Sequence, residues 1–380
     1  MEYSERSCRT GVSIQSSSLG LVVRSASERT YIRVKRIIMT LACMAVTAVC
    51  LCACGSDGNT GGRASDSDKL KVVTTIFPEY DWVREILGDR AGEADVTFLT
   101  DNGVDMHSFQ PGAEDILKIG EADVFIYVGG ESDKWVEDAL KEAANPNREV
   151  INLLDTLGDG VKEEEIVEGM EAEHDHEHED GQHEEDVHDE DGHERGEAPE
   201  YDEHVWLSLK NAQVLCDAIA EALGDVDPDD AGVYTANAAA YKSKLASLDK
   251  SYQETVDAAD IHTVLFGDRF PFRYMTDDYG LDYYAAFAGC SAETEASFET
   301  VIFLADKLDE LGLPAILTIE KNDGKIAETI RSNTASKDQK ILRLDSMQAT
   351  TSEDVNNGAT YLSAMEGNLE VLKEALGANP

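Results

Sequence analysis

The sequence predicts an α/β protein of two lobes, each a parallel sheet flanked by helices, joined by one long helix. Strand-like apolar runs alternate with helical stretches over 70–155 and again over 262–345, the pattern of parallel sheets. Between them, residues 228–258 hold an unbroken helical pattern. The length, 380 residues, suits two lobes of ordinary size better than one core.

The elements follow in order. LKVVTTIF (70–77) is a β-branched run suited to a buried strand, followed by an amphipathic stretch through Ile86. DVTFLT (95–100) is a second strand, 114–120 a helix, and DVFIYVGG (123–130) a third strand ending in glycines. A helix over 134–144 leads to a strand at EVINLLD (149–155). In the long helix, Tyr234, Ala238, Tyr241, Leu245, Leu248 and Tyr252 recur every three or four residues. At ~1.5 Å per residue it reaches roughly 40 Å, enough to cross a domain and join two lobes. The second alternation runs HTVLFGD (262–268), LDYYAAF (281–287), a helix at 298–311, AILTIE (315–320), a helix at 325–333, KILRLD (340–345) and a C-terminal helix.

Formal net charge is −45, from 77 acidic against 32 basic residues. Nucleic acid is excluded as a partner because a phosphate backbone needs a basic face. The balance favours cations instead, although much of the acidity is concentrated in about 162–203. Seven cysteines are present, five of them before residue 55. That leaves Cys216 and Cys290, whose pairing is open. No CxxC pair exists, which argues against a thiolate zinc site.

The N-terminal region reads as an export signal. Arg33, Lys35 and Arg36 precede an apolar run from Ile37 to about Leu51, shorter than the ~20 residues that span a bilayer. Leu51 at −3 and Ala53 at −1 make a lipobox-like approach to Cys54, the expected lipidation site. Residues 1–53 are then a cleaved signal region, and 54–69, rich in Gly, Ser and Asp, a flexible tether. The expected divisions beyond are an N-terminal lobe over 70–226, a linking helix over 227–258 and a C-terminal lobe over 259–380.

Four ordered stretches carry a family resemblance: TTIFPEYDWVREILGD (74–89), DMHSFQPGAEDILKIGEADVFIYVGG (105–130), DEHVWLSLKNA (202–212) and GCSAETEASFETV (289–301). Together they resemble the zinc- and manganese-binding solute receptors of ABC importers, from about residue 70 to 378. The resemblance implies two α/β lobes bridged by a long helix, with a metal site in the cleft. It also implies an ABC permease and its ATPase as partners, a lipid anchor on the extracytoplasmic face of the cell membrane, and a monomer.

Within the family motifs, His107 and His204 fall at ligand positions, and neutral imidazole suits first-row metals. Asp202 is expected to orient His204 from behind. The third position departs from the family: alignment on Phe272 and Tyr274 puts Arg269 there, and a guanidinium has no lone pair to donate. Asp268, one residue earlier, is the replacement candidate, the alternative being that it pairs with Arg269 or caps the next turn. Asp345 matches the family's C-terminal aspartate, the alternative being an N-cap. Glu320 matches a recurring glutamate expected to support a ligand. Two imidazoles with two carboxylates would suit Zn²⁺ or Mn²⁺.

The stretch 173–194 leans toward zinc. It holds His174, His176, His178, His183, His188 and His193 among acidic residues, a composition expected to be disordered and to bind metal labilely. Zinc-type members of the family carry such a loop. The expected function is capture of a divalent metal, zinc first, for import. The alternatives are a manganese receptor of the same family, or a surface metal buffer or adhesin without a transport role. Neither HExxH nor GxSxG is present, and an enzyme is not expected.

Overall fold

A computed structural model describes residues 69–141, 144–171, 200–291 and 295–378. The signal region, Cys54 with most of its tether, and the six histidines of the 173–194 stretch lie outside the described residues.

The first sheet is parallel, in the order β2 (Ala94–Phe98), β1 (Leu70–Thr74), β3 (Val124–Tyr127), β4 (Glu149–Asn152). Central β1 aligns Val72 with Val96 on one side and Val124 on the other. The β-branched run is buried because helices cover both faces. These are α1 (Phe77–Leu87), α2 (Ala113–Glu121), α3 (Val136–Lys141), α4 (Leu153–Leu157) and α5 (Leu209–Val226). The long helix is α6 (Ala231–Ala258).

The second sheet repeats the plan, in the order β6 (Asp282–Ala288), β5 (Thr263–Phe270), β7 (Ala315–Ile319), β8 (Lys340–Leu344). Its helices are α7 (Arg273–Tyr279), α8 (Phe298–Leu311), α9 (Lys325–Asn333), α10 (Ser352–Asn356) and α11 (Tyr361–Ala375).

α6 is 28 residues long, and the six residues of its expected apolar stripe are all buried. It touches both lobes. Asn237 Nδ2 donates to the Ile86 carbonyl of α1 at 2.9 Å, and Tyr252 Oη to the Met365 carbonyl of α11 at 2.6 Å.

Two departures from the expected elements have local causes. Strand β4 stops at Asn152, whose side chain accepts from the Asp155 amide and starts α4 where a strand was expected to continue. Helix α5 is an addition to the expected set. Its buried face (Ala212, Leu215, Cys216, Ile219, Ala222, Leu223) has helical spacing. Cys216 lies in this core, and neither it nor Cys290 is in a disulfide.

One buried carboxyl sets a pH dependence. Glu79 Oε2 accepts from the Thr75 and Ile76 amides and the Thr75 hydroxyl, while Oε1 has no partner among the described residues. Burial, against those hydrogen bonds, pushes its pKa from 4.5 to about 8. The unfolded chain releases this proton near 4.5 and the folded one keeps it to about 8, so this group's contribution to stability declines as pH rises between them. In Glu79→Gln that loss is absent. From about pH 5 to about pH 9, the unfolding free energy measured in urea should shift in favour of the variant by on the order of 4 kcal/mol. Parallel pH profiles for the two proteins would contradict this.

Candidate metal centre

The C-terminal ends of the strands face one cleft, as in other open parallel sheets. After β2, the chain enters a 3₁₀ turn, Met106–Ser108, that carries His107. Asp105 caps the turn, its Oδ1 accepting from the His107 amide at 3.1 Å. His204 precedes a second 3₁₀ turn, Val205–Leu207, and is fully buried.

The two imidazoles face each other, Nε2 to Nε2, at 3.2 Å. Their other nitrogens are occupied. His204 Nδ1 lies 2.9 Å from Asp202 Oδ1, which also accepts the His204 amide. His107 Nδ1 lies 2.8 Å from Ser132 Oγ, whose hydroxyl donates to Glu203 Oε2 at 2.5 Å. Because that hydroxyl proton points at a carboxylate, Ser132 accepts from His107 Nδ1–H. Both rings then present Nε2 lone pairs to one another.

Facing lone pairs at that distance repel unless a proton or a cation lies between them. A tetrahedral zinc with Zn–N of about 2.0–2.1 Å would hold two nitrogens about 3.3 Å apart. The imidazole pair therefore fits a divalent metal, with carboxylate supports of the kind that orient metal-bound histidines.

The field here is negative. Burial alone would push His204 down, but Asp202, followed by Glu203 and Asp105, raises its pKa. Burial would push Glu203 up, but the His107 ring 3.4 Å away and the bonds from the Ser132 hydroxyl and amide hold it below the ordinary carboxylate range. A cation entering the site thus meets ionised partners already in place.

Glycine makes this packing possible. Gly130, at φ +81°, leaves room for Glu203, whose Oε1 would lie 2.2 Å from a Cβ there. At Gly289, after β6, a Cβ would sit 2.8 Å from the Phe270 carbonyl and 3.0 Å from His204 Cε1.

The expected third and fourth positions sit differently. Both carboxylate oxygens of Asp268 accept backbone amides, Oδ1 from Arg269 at 2.8 Å and Oδ2 from Ile319 at 2.9 Å. Arg269 reaches across the cleft, its Nη2 2.7 Å from Asp105 Oδ2. Asp345 accepts the Met347 amide at 2.9 Å, and burial beside Glu320 raises its pKa to about 6. Glu320 braces the loop after β8, accepting from the Ser346 amide and hydroxyl and the Gln348 amide. That loop holds Met347 at φ 62°, the left-handed region.

Among the described residues, the one set of three metal-binding side chains with donor atoms within 4.8 Å of one another is His107, His204 and Cys290. Sequence reasoning missed Ser132 and Cys290, although Cys290 stands within the family-like stretch 289–301. Desolvation pushes the Cys290 thiol well above its ordinary value, with Glu164, Asp202 and Glu203 adding to the effect. Beside the imidazoles lies a cavity of about 920 Å³ lined by Asp105, Ser108, Asp268, Arg269, Glu320 and Lys321, among others.

Fold and site together define a cleft-type binding protein: two parallel α/β lobes with a supported imidazole pair between them. The family described as ZnuA, zinc-uptake complex component A, periplasmic, matches residues 72–375, and the chain belongs to it. The chain is similar to the zinc-binding lipoprotein AdcA of Streptococcus pneumoniae, at 31% identity over 340 residues, 90% of this chain and 61% of AdcA. It thus spans about three fifths of that relative's length. It is also similar to the high-affinity zinc uptake system protein ZnuA of Bacillus subtilis, at 30% identity over 334 residues, 87% of this chain and 96% of that one. The crystal structure of the Zn(II)-bound ZnuA-like domain of S. pneumoniae AdcA superposes with a TM-score of 0.60 at 28% identity, covering 81% of this chain and 99% of that domain.

Proposed function

We propose that this chain captures zinc outside the cytoplasm and passes it to an ABC permease driven by a cytoplasmic ATPase. The metal is cargo and undergoes no reaction. The observation that carries the reading is the pair of facing Nε2 atoms, 3.2 Å apart, each ring held from behind by a carboxylate or a serine–carboxylate relay. Family membership and the zinc-binding relatives support it. In this reading Cys54 carries the lipid anchor and the histidines of 173–194 collect metal labilely. Asp268 and Asp345 stay the carboxylate candidates for the metal; Asp345 has Oδ2 beyond the oxygen that accepts the Met347 amide, whereas both Asp268 oxygens already accept amides.

Radiozinc uptake tests the reading in the native host. Cells carrying His107→Ala with His204→Ala should lose uptake at limiting zinc and recover growth when zinc is abundant. Cells lacking only residues 171–198 should keep uptake, at reduced rate. Full uptake by the double variant at limiting zinc would defeat the proposal.

A further inference from the structure

The family position for a third protein donor is filled here by Arg269, which cannot ligate and is committed to Asp105. The structure brings another donor to the same place. Cys290 Sγ lies within 4.8 Å of a ring nitrogen of both His107 and His204. It arrives there by construction. Gly289 lets the chain after β6 pass against the His204 ring, where a Cβ would sit 3.0 Å from His204 Cε1 and 2.8 Å from the Phe270 carbonyl. Cys290 is half-buried, with its sulfur beside both rings. Cys216, the other cysteine of the lobes, is buried in α5, and both are free thiols.

We propose that Cys290 is the third protein ligand, binding as a thiolate beside His107 and His204, and that this thiolate selects zinc over manganese. The inference rests on the imidazole pair being the metal site. On binding, a metal–sulfur bond replaces the S–H bond and the proton passes to water, so no oxidant or reductant is involved. Zinc–sulfur bonds of about 2.3 Å in a tetrahedral site place sulfur about 3.5 Å from each nitrogen. With the donor atoms now within 4.8 Å of one another, that asks for closure by no more than about 1.3 Å. Thiolate and imidazole are donors for zinc, cobalt and copper, whereas manganese prefers carboxylate, carbonyl and water. The Cys290 thiolate therefore does what the carboxylate donor set cannot: it separates the two metals.

The test uses the full chain with one equivalent of cobalt(II), which reports thiolate ligation through a near-ultraviolet sulfur-to-cobalt charge-transfer band. Wild type and Cys216→Ser should show the band. Cys290→Ser should lose it while still binding cobalt through the imidazoles, and its zinc affinity should fall by about a hundred- to a thousandfold with manganese affinity unchanged. In unmutated protein, zinc should slow alkylation of Cys290 by N-ethylmaleimide, read by peptide mass. A band that persists in Cys290→Ser, or Cys290 labelling indifferent to zinc while cobalt binding still depends on His107 and His204, would overturn the Cys290 assignment alone. Cobalt and zinc binding that ignores both histidines would instead overturn the metal-site reading beneath it.

Discussion

Replacing His107 and His204 together by alanine should remove the tight zinc site and leave the fold intact. Four-ligand protein zinc sites are worth about 10–16 kcal/mol, so two imidazoles carry on the order of 5–8 kcal/mol, more than about a thousandfold in affinity. The fold should tolerate the change, because the supporting groups keep partners. Asp202 still accepts the backbone amide at position 204, and Glu203 still accepts the Ser132 amide at 2.9 Å. Calorimetry against a competing chelator should find only weak, multiple binding, the capacity assigned to the six loop histidines. Retained nanomolar zinc binding would show that the cleft imidazoles are not the ligands.

Trp206→Ala should cost stability and zinc affinity at once. Trp206 is fully buried, with its ring 5.3 Å from that of His204. Its Nε1 donates to the Ser346 carbonyl at 2.9 Å, and its own carbonyl accepts from Tyr361 Oη at 2.6 Å. One side chain thus walls the imidazole and ties the first lobe's 202–207 segment to the loop after β8. Truncating a buried tryptophan costs about 3–5 kcal/mol, a large share of the 5–15 kcal/mol typical of a folded protein. Urea unfolding of the metal-free protein measures the loss, and a chelator competition measures the weakened zinc site. Trp206→Phe keeps most of the packing and loses one hydrogen bond, so it should fall well short of alanine. A loss under about 1 kcal/mol in the alanine variant would contradict the packing argument.

Much of the architecture is legible in the chain because it rests on local periodicity. The tyrosine–leucine stripe of 234–252 specifies α6 without reference to any partner, and helix 298–311 has the expected bounds in the structure. The glycines and asparagines that end strands blur their edges, which is why β3 and β4 come out shorter than their apolar runs. The site divides similarly. His107 and His204 stand in recognisable motifs, but the rest of their surroundings depend on tertiary closure. Ser132 meets Glu203 across 71 residues, and Arg269 meets Asp105 across 164. No spacing rule joins residues so far apart. Asp268 and Asp345 illustrate the same limit. Their places at strand ends can be read from sequence, but the backbone amides that their oxygens accept cannot.

The central claim is that a divalent metal sits between His107 Nε2 and His204 Nε2. A crystal structure of the zinc-loaded protein, with anomalous data collected on both sides of the zinc edge, tests it most directly. The account predicts one strong anomalous peak about 2.0–2.1 Å from both nitrogens. A peak elsewhere, with these two nitrogens bonded to no metal, would contradict it.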